Sequence, residues 1–88
     1  MASIVKILGS EVALSDTASN IGNAKLVRVY NGNAADKLVT IKSAGGTTLG
    51  TITVATKDTV NLAKGATDTV EIAAATAGLK AVSIGFYN

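Results

Sequence analysis

Apolar and polar residues alternate over short stretches along most of the chain, as in the run Val27-Arg28-Val29-Tyr30. A period of two is typical of β-strands that bury one face, and the frequent Val, Ile and Thr favour strand over helix. The pattern predicts seven strands, at residues 3–8, 24–31, 37–43, 49–54, 59–62, 69–73 and 80–87.

Turn-forming residues separate these strands. Asn31-Gly32-Asn33, Gly45-Gly46 and Lys64-Gly65 supply the residues that adopt positive φ in tight hairpins. Seven short strands in 88 residues predict an all-β fold, either a small antiparallel β-sandwich or a partly open barrel. The length allows a single domain over residues 1–88.

The alternation also predicts which side chains face the core. The expected core positions are Val27, Val29, Val39, Ile41, Ile52, Val54, Val60, Leu62, Val70, Ile72, Val82, Ile84 and Phe86. Phe86 is the largest of these, so we expect it to anchor the core. The expected outward positions form a mildly polar set: Arg28, Thr40, Lys42, Thr51, Thr53, Asn61, Glu71, Ser83 and Gly85.

Residues 68–77 allow two interpretations. Asp68 and Glu71 have the spacing of a helix capping box, and three alanines follow at 73–75. The branched side chains of Thr69, Val70 and Ile72 favour a strand up to Ala73, which we prefer. Residues 15–23 are expected to form the longest loop.

Composition points to a protein that needs partners. The chain has no Cys and no His, which excludes disulfides and the usual zinc ligands. Only 16% of its residues are charged, against about 25% in typical soluble domains. Because so small a core is thin, we expect stability to come from self-association or from a partner surface.

Several function classes are not expected. The net charge of +2 is scattered and only Tyr30, beside Arg28, could stack on a base, so we do not expect nucleic-acid binding. No apolar run is long enough to span a membrane. Lys6 and Glu11 interrupt the apolar N-terminal residues, which argues against a signal peptide and for assembly in the cytoplasm.

No catalytic or cofactor-binding pattern is evident. Without His or Cys, a Ser or Thr nucleophile would need Lys or a carboxylate as its base, and no motif brings such a pair together. Asp58 and Asp68 each precede Thr-Val at a strand start, where we expect them to cap turns rather than bind calcium. We predict a protein that is not an enzyme and has no cofactor or metal.

The chain from Leu26 to Tyr87 resembles small virion structural proteins of tailed bacteriophages. The resemblance is one of pattern, carried by residues 27–31, 38–41, 51–54, 60–64, 67–70 and 80–82. It implies a β-sandwich present in many copies on the particle, as a capsid decoration or cement protein or as a neck or tail component. The implied partners are the major capsid protein or other virion proteins, together with further copies of the chain.

Two surfaces are predicted to make these contacts. The N-terminal strand, with Ile4, Val5 and Ile7, is too apolar for a free edge, so we expect it to pair with another strand or with a neighbouring subunit. The outward set offers Arg28, Tyr30, Lys42 and Glu71. A small ligand- or nucleic-acid-binding module, and a pilus or surface-layer subunit, remain the alternatives.

Overall fold

The computed structural model describes residues 4–15, 17–72 and 78–86, and the described part of the chain contains strands and turns but no helix. The prediction of an all-β fold is confirmed. The strands are β1 (Val5–Ile7), β2 (Val12–Ala13), β3 (Leu26–Asn31), β4 (Lys37–Lys42), β5 (Thr48–Val54), β6 (Thr59–Ala63), β7 (Thr69–Ile72) and β8 (Leu79–Phe86). Strand β2 was not predicted, because two residues are too few to show a period.

The strands form two antiparallel sheets that pack as a sandwich. Sheet one has the order β1-β8-β3-β6, and β2 pairs with β8 as well. Sheet two has the order β5-β4-β7. A bulge between Ile41 and Lys42 shifts the register of β4 against β5, next to the in-strand Gly50.

The core lies between the sheets and is aliphatic. Its fully buried side chains include Val27, Val29, Val39, Val54 and Val70, each 0% exposed. Ile41, Ile52, Val60 and Leu62 pack against this cluster and are partly buried. The predicted inward positions are therefore confirmed for β3 to β7.

The prediction for β8 is wrong by one residue. Val27 is paired with Ser83 and Val29 with Ala81, so the small residues of β8 share the inward face. Leu79 and Ala81 are 0% exposed and belong to the core cluster. Val82 is paired with Arg28 and therefore lies on the outer face.

The core role predicted for Phe86 rests on a side chain outside the described part of the structure. Its backbone is paired with Val5, and Ile84 is paired with Ile7. Position 86 is thus in phase with Val82 and Ile84 rather than with Leu79 and Ala81.

The chain crosses between the sheets within two consecutive residues. The Leu14 N–H donates to the Leu79 carbonyl at 2.8 Å, in sheet one. The Ser15 carbonyl accepts from the Ile72 N–H at 3.0 Å, in sheet two. The predicted loop 15–23 continues along the edge of β7, where Ser19 and Val70 form an isolated bridge.

The same loop ends in a tight turn that places the side chain of Ile21 in the core. Ile21 is 3% exposed and has a φ of 53°, a backbone conformation that branched side chains rarely adopt. The turn is closed by Asn20, whose side chain donates to Asn23 at 3.0 Å and accepts from its N–H at 3.2 Å. Burial of Ile21 offsets the backbone strain.

Asn31 stabilises the segment in which the chain passes from β3 to sheet two. It is the one buried polar residue of the described chain, at 0% exposed. Its amide donates to the carbonyls of Ala35 and Val54, both at 2.9 Å. Its Oδ1 accepts from the N–H and the side chain of Asn33. Every polar atom of the buried amide is thereby satisfied.

Residues 69–72 form a strand, which confirms the preferred interpretation of this segment. Residues 73–77, including Ala73, lie outside the described residues. The capping role of the two aspartates is also confirmed: Asp68 accepts from the Gly65 N–H and Asp58 from the Thr59 N–H.

Candidate interaction surface

The outer face of sheet one carries apolar and charged side chains side by side. Arg28 of β3 is paired with Val82 of β8, and Tyr30 with Lys80. On the other side of β8, Ile7 is paired with Ile84. Directly paired residues in an antiparallel sheet point to the same side, so these side chains form one surface.

This surface contains a depression of about 430 Å³. We call it the sheet-one depression, and its lining residues are Val5, Ile7, Gly9, Glu11, Arg28, Tyr30, Lys80, Val82 and Ile84. Ile84 is 2% exposed yet does not belong to the core cluster between the sheets. The depression therefore has an apolar floor of its own.

The charged groups around this floor differ in their partners. Lys80 Nζ lies 3.7 Å from a carboxylate oxygen of Glu11, and both side chains are about half exposed. The guanidinium of Arg28 makes neither a hydrogen bond nor an ion pair within the described residues. Tyr30 is 37% exposed beside it. Arg28 is thus a cation available to an external acidic group.

Four of the seven predicted contact residues meet at the sheet-one depression: Val5, Ile7, Arg28 and Tyr30. Ile4 precedes Val5 in the strand direction and is 64% exposed. The prediction that Arg28 and Tyr30 share a face with Lys42 and Glu71 is wrong. A sandwich has two outer faces pointing away from each other, and Lys42 and Glu71 lie on the outer face of sheet two.

The outer face of sheet two carries threonines, an internal ion pair and the exposed side chain of Leu38. Its centre is a set of threonines, with Thr40 paired to Thr51 and Leu38 paired to Thr53. Lys42 Nζ contacts Glu71 Oε1 at 3.1 Å, and their side chains are 31% and 17% exposed. The two charges neutralise each other, so neither is available to a partner.

Sequence reasoning missed that Val82 and Ile84 face the outer side of sheet one, although Ile84 is buried as predicted, and it missed Lys80 and Glu11 altogether. The position of Lys80 in the sequence could have indicated that Lys80, Val82 and Ile84 all face outward. Lys80 stands two residues before Val82, and a lysine at an inward position of so small a core would be costly. Because Lys80 must face outward, the alternate residues Val82 and Ile84 face outward as well.

A second charged cluster serves the fold. Lys64 Nζ donates to the carbonyl of Asn20 at 2.9 Å and to that of Gly65 at 3.2 Å. The pKa of Lys64 is lowered, because burial of its ammonium outweighs the attraction of the nearby Asp68 carboxylate. The amine ties the β6–β7 turn to the turn at Ile21.

Within 4–15, 17–72 and 78–86, no three carboxylates converge as a metal site would require. Over the same ranges no helix is long and apolar enough to cross a membrane.

Comparison of the chain with protein families, with curated proteins and with solved structures finds no match.

Proposed function

We propose that the protein is a non-enzymatic structural component of a virion, a capsid decoration or cement protein that is assembled in the host cytoplasm and binds the capsid surface in many copies. The observation that carries the proposal is the sheet-one depression, where Tyr30 and an Arg28 without a partner among the described residues stand over an apolar floor. The resemblance of residues 26–87 to small phage structural proteins supports it.

The chemistry of this surface suits a protein partner. Arg and Tyr are the residues that most often dominate protein interfaces, because each buries a large area and still makes polar contacts. A carboxylate of the capsid protein facing Arg28 would form a charge-assisted hydrogen bond in a site that excludes water. Val82, which is only partly buried, would gain burial in the same step.

A binding face of this kind also suits a cement protein, because such a protein acts through many copies on one particle. A domain of 88 residues buries a modest core, and many identical contacts on one particle multiply a small stabilisation per copy. A neck or tail protein would use the same surface on a different virion partner.

The volume of the depression favours a second candidate, a binding module for a small ligand. At about 430 Å³ it falls within the range of about 300–1,000 Å³ found for ligand pockets. An apolar molecule bearing one anionic group would match the floor and Arg28. Such a module would be recovered without the particle.

Particle composition distinguishes the two candidates. We expect quantitative mass spectrometry of virions purified from the phage that encodes the chain to find it in a fixed ratio to the major capsid protein. Absence or trace recovery would contradict the proposal and favour the ligand-binding module. A fixed ratio to a tail or neck protein instead would move the partner from the capsid to that component.

Rebinding then tests the surface. Arg28→Ala and Tyr30→Ala should each weaken binding to particles stripped of the protein, by roughly 30-fold if each acts as a contact of about 2 kcal/mol. Lys42→Ala, which removes a comparable side chain from the outer face of sheet two, is the control and should bind as the parent does. Equal binding by all three variants would place the contact elsewhere.

A further inference from the structure

Strand β1 presents an open hydrogen-bonding edge. It is the end strand of sheet one and pairs with β8 alone among the described strands. The Leu8 N–H donates to the Ser83 carbonyl at 2.8 Å, which fixes the alternation of the ladder. Ile7 and Val5 therefore stand at the non-hydrogen-bonded positions opposite β8. Their N–H and C=O groups point away from the sheet.

The two most exposed large hydrophobic side chains of the described chain, those of Ile7 and Ile4, lie at this edge, and Leu8 lies beside them. Ile7 is 71% exposed, Ile4 64% and Leu8 55%. Three of the six large exposed hydrophobic residues thus fall within five positions, and they alternate between the two sides of the strand. A strand with an open edge and apolar side chains on both sides is a template for another strand.

The other sheet edges are less suited to pairing. Strand β5 carries the bulge opposite Ile41 and Lys42, and a bulge twists an edge away from a flat partner. The free side of β7 is occupied by the segment around Ser19. Strand β6 exposes Asn61 and Ala63 but no large apolar side chain.

We propose that β1 is the interface between two copies of this chain, which pair antiparallel about a two-fold axis at Ile7 and join their first sheets into one. The inference goes beyond the proposed function, because the pairing needs no particle.

Charge disfavours one alternative register. An axis at Lys6 would place two lysines directly opposite each other, which destabilises a strand pair. An axis at Ile7 places each Lys6 opposite the partner's Leu8, whose side chain can pack on the aliphatic part of lysine. Ile7 then meets the partner's Ile7, and the outward N–H and C=O groups of both are satisfied.

The pairing also extends the sheet-one depression. Val5 and Ile7 line it on the side of the open edge. A two-fold axis at Ile7 would bring the depressions of both copies to one side of the joined sheet, with an Arg28 on either side of the axis.

The oligomeric state tests the interface. We expect the parent to sediment as a dimer at micromolar concentrations and Ile7→Lys to sediment as a folded monomer, since it places two lysines on the axis. Leu38→Lys replaces a side chain that is 48% exposed on the outer face of sheet two, and it should remain a dimer. A monomeric parent, or a dimer that survives Ile7→Lys, would overturn the proposal.

Disulfide trapping tests the register in a chain that has no cysteine of its own. Ile7→Cys should cross-link to itself, because directly opposed hydrogen-bonded residues have Cα atoms about 5.5 Å apart. An equimolar mixture of Lys6→Cys and Leu8→Cys should cross-link to each other and neither to itself. Self-cross-linking of Lys6→Cys would overturn the assigned axis. None of these measurements uses virions, so failure here leaves the particle test intact.

Discussion

The two outer faces of the sandwich are built from neighbouring strands of similar composition, yet they have opposite characters. On sheet two Lys42 Nζ and Glu71 Oε1 form an ion pair at 3.1 Å beside several outward-facing threonines. On sheet one Arg28 has no hydrogen-bond or ion-pair partner among the described residues, and it stands beside aliphatic side chains. The difference arises in β8, where Ala81 and Ser83 turn inward and larger residues turn outward. The ion pair on sheet two is internal, whereas sheet one presents a cation to a partner.

The contrast between the two outer faces depends on which residues of β8 point into the core. The largest expected effect tests this assignment. Leu79→Ala should lower the free energy of unfolding by about 2–5 kcal/mol, because it leaves a cavity at a position that is 0% exposed. Val82→Ala, on the outer face, should cost less than about 1 kcal/mol. Urea unfolding of both variants checks this, and the reverse order of effects would restore the phase predicted from sequence.

The two outer faces exist only while the two sheets stay packed together, and the hydrogen bonds of Asn31 help to hold the chain where it passes from one sheet to the other. Asn31→Ala removes the amide that joins β3 to the Val54 carbonyl, and with it a buried hydrogen bond. We expect a loss of about 1–3 kcal/mol. Asn33→Ala, which leaves the Asn31 amide bonded to Ala35 and Val54, is the control and should cost less. Equal losses would mean that Asn31 adds nothing beyond its contact with Asn33.

The ion pairs offer a direct comparison of the faces. Glu71→Gln should lower the free energy of unfolding by about 0.2–1 kcal/mol, and added salt should reduce the difference. Glu11→Gln removes the longer pair on sheet one, at 3.7 Å with both side chains about half exposed, and should have no measurable effect. Thermal melting at two salt concentrations measures both. A larger effect at Glu11 would contradict this ranking of the two ion pairs.

The smallest effect concerns Lys64, which belongs to neither face. Its pKa is lowered by burial, so between that value and the ordinary 10.5 the unfolded chain holds more protons than the folded one. The free energy of unfolding therefore rises with pH across this interval. Measured against Lys64→Met, the parent should gain stability as the pH approaches 10.5. A difference that stays flat or falls would show that the ammonium is solvated.

Much of the fold could be predicted from sequence because period-two alternation is a local property. It located the inward residues of β3 to β7, and the branched side chains of Thr69, Val70 and Ile72 correctly outweighed the capping pattern. It failed in β8 because both sets of alternate positions there contain apolar residues: Leu79 and Ala81 in one, Val82 and Ile84 in the other. Size and hydrophobicity favoured the wrong set.

The candidate surface was less predictable, for a geometric reason. Outward residues on successive strands look alike in sequence, whichever sheet the strand joins. Arg28 and Glu71 were therefore assigned to one face although their strands belong to different sheets. The contribution of Val5 and Ile7 depends on the pairing of β1 with β8, a contact between distant parts of the chain that no local pattern reveals.

That distant pairing sets the order of events while the protein is made. Strands β1 and β2 hydrogen-bond to β8 alone among the described strands, so their residues leave the ribosome well before their partner exists. The nascent chain can assemble β4 with β5, and β3 with β6, while its apolar N-terminal segment remains without a strand partner. Contacts between such remote segments form slowly, and an exposed apolar segment can be captured by chaperones or by other chains. Synthesis of β8 is the step that gives this segment its strand partner.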